Sequence, residues 1–214
     1  MNGSSFFSRS MRVVRKIVKG AGILTIAQSP EQWNLQFKRG RWDRLISEQP
    51  NTELIGRMIL EKARESGGKL HIADIGCGNG GLVRFLASHE ELIDYMGIDI
   101  SDTAISASRQ TAPWAHFSLF DASIPPDDLG TFDVLVFNEV FYYLDTKRVL
   151  PRYVSHASDN AMIIISIVRS WRSFFLWRRI RAAITIQSSY RVRAKNGSHT
   201  AWDVGIGPFK IPSS

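Results

Sequence analysis

Two rhythms of apolar positions alternate along most of this chain. Short runs at 71–75, 92–98, 115–120, 132–137 and 162–168 are apolar at nearly every position, as strands covered on both faces are. Between them, 82–88, 103–110 and the stretch from Asp145 to about 156 repeat apolar residues at helical spacing, and 171–183 follows in the same manner. Strand and helix in strict alternation predict a parallel sheet with helices on both sides. Past 184 the pattern changes to two strands, 185–194 and 200–206. They are joined by Lys195-Asn196-Gly197-Ser198, whose Asn-Gly pair predicts a hairpin. The expected class is α/β, with an antiparallel addition at the end.

Ahead of the alternating region, Thr52 with Glu53 predicts the start of a helix over 54–65. Leu54, Ile55, Met58, Ile59 and Lys62 form its stripe and Gly67-Gly68 its end. Residues 32–45 set Trp33, Phe37 and Trp42 among charges, and rings in such a place need something to cover. They either pack on the edge of the domain or close over a ligand. Further back, Arg9, Arg12, Arg15, Lys16 and Lys19 recur among Met11, Val13, Val14, Ile17 and Val18, which predicts a basic amphipathic helix up to Gly20. Three regions result: a basic segment at 1–30, a lead-in with its helix at 31–68, and the main domain at 69–214.

With 214 residues, 44% of them apolar, the chain has material for one well-packed domain and no room for a second substrate domain. The single cysteine, Cys77, excludes an internal disulfide, and the lack of a His/Cys cluster argues against a metal site. No apolar run reaches the roughly 18 residues that span a bilayer, so a cytoplasmic, soluble protein is expected. The net charge of +7 is unevenly spread: five basic and no acidic residues in 1–30, 13 against 19 in 31–168, and nine against one in 169–214. Basic ends on an acidic core suit an anionic small-molecule acceptor, a nucleic acid, peripheral contact with a membrane through the N-terminus, or simply a solvated surface.

The chemistry concentrates where the first strand breaks into four glycines within six residues, Gly76-Cys77-Gly78-Asn79-Gly80-Gly81. Such a turn lets a ligand lie against main-chain N–H groups at the start of a helix. Gly76-x-Gly78-x-x-Gly81 also fits a dinucleotide site, but Asp74 just before it would repel a pyrophosphate and attract an ammonium. Asp74-Ile75-Gly76-Cys77-Gly78-Asn79-Gly80 resembles the first motif of class I S-adenosylmethionine-dependent methyltransferases. That resemblance implies a doubly wound Rossmann-like seven-stranded sheet with an antiparallel C-terminal hairpin. It also implies S-adenosylmethionine as cofactor and S-adenosylhomocysteine as product.

Cofactor contacts are expected from Asp74, Gly76, Cys77, Gly78, Gly80, Asp99, Ile100, Asp121, Ala122 and Asn138. Asp99, at the end of the second strand, can accept hydrogen bonds from both ribose hydroxyls, and Ile100 can wall the adenine. Asp121-Ala122 stands where the family places an acidic residue near the adenine amino group. The fourth strand runs into Asn138-Glu139-Val140-Phe141-Tyr142-Tyr143-Leu144, which should face the transferred methyl group. Glu139 is the expected catalytic base, with Tyr142, His116 and His199 behind it. The run from Glu139 to Leu144 is similar to small-molecule enzymes of sugar and envelope-polysaccharide biosynthesis and to the nodulation-protein-S type. Of the alternatives, a nucleic-acid acceptor is disfavoured because the fourth strand ends without the two prolines that hold an exocyclic amine, and a non-catalytic cofactor-binding module because every expected cofactor contact is present.

Overall fold

Strands β1 (Leu70–Ile75) and β4 (Phe132–Asn138) lie side by side at the centre of a sheet, because both are apolar on both faces. The computed structural model describes residues 28–43, 49–194 and 201–207. The basic segment before them, the Asn196-Gly197 turn and His199 lie outside the described residues. Around the central pair run β2 (Ile93–Asp99), β3 (His116–Leu119) and β5 (Ala157–Val168), all parallel. The last two strands, β6 (Ser188–Arg193) and β7 (Ala201–Gly207), pair antiparallel with each other, and β7 pairs antiparallel with β5. The spatial order is β3-β2-β1-β4-β5-β7-β6, the seven-stranded arrangement expected from the alternation and its terminal hairpin.

Successive residues of each strand feed opposite cores. Ile72, Val134, Val136 and Ile164 face helices α2 (Pro50–Ser66), α3 (Gly81–Leu86) and α4 (Asp102–Thr111) through Ile55, Ile59, Leu82, Val83 and Ile105. Their neighbours Ala73, Ile75, Leu135, Phe137, Ile163 and Ile165 face α5 (Thr146–Val154) and α6 (Trp171–Ala183) through Val149, Leu150, Leu176 and Ile180. This two-sided burial is what near-continuous apolar strands encode.

Element boundaries differ from the sequence reading where capping chemistry decides. The aromatic lead-in is a helix, α1 (Pro30–Lys38), started by a Ser29/Gln32 capping box with Pro30 in its first turn. Helix α2 begins at Pro50, so Thr52 lies inside it rather than capping it; proline suits a first position whose N–H has no partner in any case. Helix α4 is capped by Ser101, which accepts from the Ala104 N–H, and this leaves Asp99 free of the capping role. Helix α3 stops at Leu86 and gives way to a 3-10 turn over Ala87–Leu92.

Candidate functional site

All five parallel strands end on one edge, and the chemistry-bearing residues gather there. The glycine turn leaves β1 with positive φ at Gly76, Gly78 and Gly80 (77°, 57° and 85°), which a side chain would strain. Space forbids one as well, since a Cβ on Gly76 would come within 2.7 Å of Val140 Cγ2 from the loop after β4. The turn is fastened to β2, because the Gly76 and Cys77 N–H groups both donate to the Ile98 carbonyl at 2.8 and 3.0 Å. Ser108 of α4 holds it from the far side by donating to the Gly78 carbonyl at 3.0 Å.

Two carboxylates stand on the same face of β1 and β2 behind this turn. Asp74 is 2% exposed and its Oδ2 accepts the Tyr95 hydroxyl at 2.5 Å, while its Oδ1 is buried with no partner among the described residues. Burial pushes its pKa up to about 7, partly offset by the Tyr95 hydrogen bond. Asp99, 9% exposed, accepts the Gly78 N–H at 3.0 Å and the Ser101 N–H at 2.8 Å. Burial raises its pKa too, and these backbone donors counter the rise. Each of its oxygens keeps a second lone pair. Cys77 is buried beside them, and burial drives its thiol well above the ordinary range, so it is packed rather than reactive.

The loop after β4 supplies the opposite wall. Glu139 has φ 61°, in the left-handed region that a non-glycine residue seldom adopts. It is held there by its N–H, which donates to the Ser166 carbonyl at 2.9 Å. Its Oε1 is buried without a partner among the described residues. Burial lifts the carboxyl to about 8, with the Val168 backbone and the Tyr142 hydroxyl restoring part of the shift. Tyr142 donates to the Val168 carbonyl at 3.2 Å. Burial first, and then the Glu139 charge, drive the Tyr142 and Tyr143 phenols up.

Other expected site residues stand differently. Asn138 points its amide at α2: its Oδ1 accepts from Asn51 at 2.8 Å, and its Nδ2 donates to Thr52 at 3.3 Å. Asn51 also reaches Ser166 at 3.1 Å, so this buried cluster locks the start of α2 to the ends of β4 and β5. Asp121 is exposed and its Oδ1 accepts the Ser123 N–H at 2.8 Å in a local turn, with Ala122 buried next to it and Ile100 half-buried beside Asp99. His116 is exposed at the start of the edge strand β3, paired with Met96 well before the strand's carboxyl end, and this removes it from the candidate bases.

Helix α1 crosses the top of this edge. Asn34 Oδ1 accepts from Ser101 Oγ at 2.6 Å and from the Thr103 N–H at 3.3 Å. Trp33 packs edge-on against Tyr143 with ring centroids 4.8 Å apart, and Phe37 lies 3.7 Å from where a Gly78 side chain would begin. The lead-in thus touches the glycine turn, the start of α4 and the β4 loop at once. Neither Asn34 nor Asn51 stood out in the sequence, because a lone Asn carries no spacing signal. Ser29-Pro30-Glu31-Gln32 did carry one, the capping box that begins α1.

A doubly wound sheet with a glycine turn and a carboxylate at the ends of its first two strands defines a nucleoside-binding α/β domain. The model of the methyltransferase domain family matches residues 73–163, from mid-β1 into β5. The match takes in the glycine turn, Asp99 and the β4 loop, so residues 73–163 are similar to a methyltransferase domain. Trans-aconitate 2-methyltransferase of Delftia acidovorans is 26% identical over 121 residues, 55% of this chain and 43% of that protein. Ribosomal RNA small subunit methyltransferase C of Klebsiella pneumoniae is 31% identical over 90 residues, 41% and 26% of the two chains. The chain thus spans less than half the length of these curated relatives.

Among solved structures, a TehB-like S-adenosylmethionine-dependent methyltransferase from Corynebacterium glutamicum superposes with TM-score 0.61 at 17% identity, covering 85% of this chain and all of the other. The N-methyltransferase NodS of Bradyrhizobium japonicum, in complex with S-adenosylhomocysteine, gives 0.61 at 16%, covering 85% and 99%. The [4+2]-cyclase SpnF gives 0.65 at 12%, covering 86% and 98%, so the fold alone does not set the reaction. The residues present fit the cofactor. A Cβ on Gly76 would crowd Val140 and one on Gly80 would press on Ser108 and Val83, so the turn stays bare beside Asp99, and Asp74 keeps an unpartnered carboxylate oxygen for a cation.

Proposed function

We propose that the protein transfers the methyl group of S-adenosylmethionine to an oxygen or nitrogen atom of a small, anionic molecule of the sugar or envelope-glycan-precursor class. The observation that carries this reading is Glu139: a strained backbone presents a carboxylate with an unpartnered oxygen at the methyl-facing edge. Strain of about 1–3 kcal/mol at one residue is retained where function requires it.

In this reading Asp99 takes the ribose hydroxyls, Ile100 and Ala122 wall the adenine, and Asp74 draws the ammonium of the methionyl group toward the Gly76–Gly80 turn. Asp121 lies near the adenine amino group, and Asn138 acts indirectly by fixing the end of β4. Cys77 fills the space behind the turn. The bound sulfonium supplies an electrophilic methyl carbon. Glu139 accepts the proton of the acceptor's O–H or N–H as the new bond to carbon forms, and afterwards releases it to solvent. Tyr142 fixes the carboxylate, while Trp33, Phe37 and Tyr143 exclude water and align the acceptor for in-line displacement.

The test is transfer of a radiolabelled methyl group into fractionated bacterial extract. Label in small anionic metabolites or lipid-linked sugars supports the reading. The ribosomal RNA enzyme among the relatives favours nucleic acid as the second reading, and label found only in RNA would replace the first with it.

A further inference from the structure

The outer face of α6 carries the largest exposed apolar side chains of the described residues. Trp171 is 73% exposed, Phe174 68% and Phe175 54%, all within the first turn and a half of the helix. The opposite face, Ser173, Leu176, Trp177 and Ile180, is buried in the core, so nothing about the packing of α6 calls for three bare rings outside. Cores bury such side chains, and a cluster of them left in water marks a contact surface.

The charges around the cluster identify its partner. Arg172 lies over the Trp171 ring at 5.2 Å, and Arg178 and Arg181 follow on the exposed side of the same helix. No acidic residue occurs in α6, and the single carboxylate of residues 169–214, Asp203, is already engaged by Arg169 and Arg191 at 3.2 and 3.0 Å. Arg172, Arg178 and Arg181 thus have no acidic partner among the described residues, Arg181 lying over the Trp177 ring at 5.4 Å, and the complementary surface is anionic.

We infer that the start of α6 is a membrane-contact tip, with Trp171, Phe174 and Phe175 entering the interface of an anionic bilayer while Arg172, Arg178 and Arg181 hold lipid headgroups. Ring geometry separates this from single-stranded nucleic acid. Phe174 and Phe175 pack edge to face on each other, 5.5 Å between centroids, and the Trp171 face is covered by Arg172. Base stacking needs open ring faces in series, whereas insertion into the headgroup boundary needs a compact apolar point flanked by cations that reach back to phosphate. The tip also has a direction. Trp171 is three residues past Val168, whose carbonyl holds Tyr142, so a bilayer touching the tip lies beside the mouth of the candidate site. This inference stands on its own geometry, whatever the acceptor proves to be.

The test is sedimentation of the full chain with vesicles of phosphatidylcholine containing roughly one third phosphatidylglycerol. The Trp171→Ala/Phe174→Ala/Phe175→Ala variant alters exposed positions only, and should lose about tenfold or more in partitioning while binding S-adenosylhomocysteine and melting as the parent does. A second full-length variant with Arg9, Arg12, Arg15, Lys16 and Lys19 changed to Gln separates this surface from the N-terminal segment. Equal binding by the triple variant would overturn the inference. So would binding lost only with the N-terminal changes, equal binding to pure phosphatidylcholine, or binding to RNA but not to vesicles that the triple variant abolishes.

Discussion

Asp99 and Glu139 are opposite solutions to burying a carboxylate. Asp99 is surrounded by N–H donors and stays an acceptor, whereas Glu139 keeps one carboxylate oxygen buried without a partner and burial lifts it to about 8. Asp99→Ala should weaken S-adenosylhomocysteine binding by about 1.5–3 kcal/mol, and Asp99→Asn by less, as isothermal calorimetry would measure. Unchanged affinity in both would leave Asp99 only its role of bracing Gly78 and Ser101. A base must be ionised to act, so with a folded-state pKa of about 8 the value of kcat/KM should climb as pH rises toward 8 and then level off. Glu139→Gln should lower kcat by about 10²–10⁴-fold and remove that limb of the profile. A profile that keeps its shape in Glu139→Gln would assign the proton to another group. How far the site was legible divides along the same line. Glycines, Asp74 and Asp99 announce themselves by spacing, while the left-handed backbone of Glu139 and the Asn51–Asn138–Ser166 lock depend on contacts between residues far apart in sequence.

At the scale of elements, helix α1 shows why local chemistry sometimes outweighs periodicity. Its nine residues bury no side chain fully, so no apolar stripe marks them. What forms the helix is the Ser29/Gln32 box and Pro30, and what docks it is Asn34 on the start of α4 and Trp33 on Tyr143. Trp33→Ala should therefore leave the melting temperature nearly unchanged, because α1 lies outside both cores, yet raise the acceptor's KM several-fold by opening the water barrier. A large loss of thermal stability with intact kinetics would make α1 a packing element instead. The central strands β1, β2 and β4 were legible to within a few residues from their apolar runs, whereas β5 begins at Ala157, ahead of the expected 162, where Ala157 pairs with Phe132. The helix starts were not legible, since Ser101 caps α4 by accepting from the Ala104 N–H, and Pro50, which has no N–H to satisfy, opens α2 ahead of Thr52.

For the whole molecule, three buried carboxyls with raised pKa values, Asp74, Asp99 and Glu139, tie stability to pH. A folded state that holds protons more tightly than the unfolded chain loses stability as pH rises. The penalty grows between about pH 4 and pH 7 for Asp74 and up to about 8 for Glu139. The Asp74→Asn/Glu139→Gln variant should accordingly melt higher than the parent by a margin that widens over that range and is smallest near pH 4. A margin independent of pH would show that neither group titrates as described.

The position of β7 between β5 and β6 bears on how the chain is made. Twelve-residue β5, with Ile163, Ile164, Ile165 and Ile167, is covered along one edge by β4 and along the other only by residues 201–207. On the ribosome β2, β3, β4 and β5 can each pair with a strand already synthesised, but the free edge of β5 stays open until β7 emerges. An open edge of that composition is a template for other copies. Synthesis stalled just before Ala201 should therefore yield aggregated nascent chains, held in solution by a chaperone that binds extended apolar segments, whereas release after Gly207 should free them.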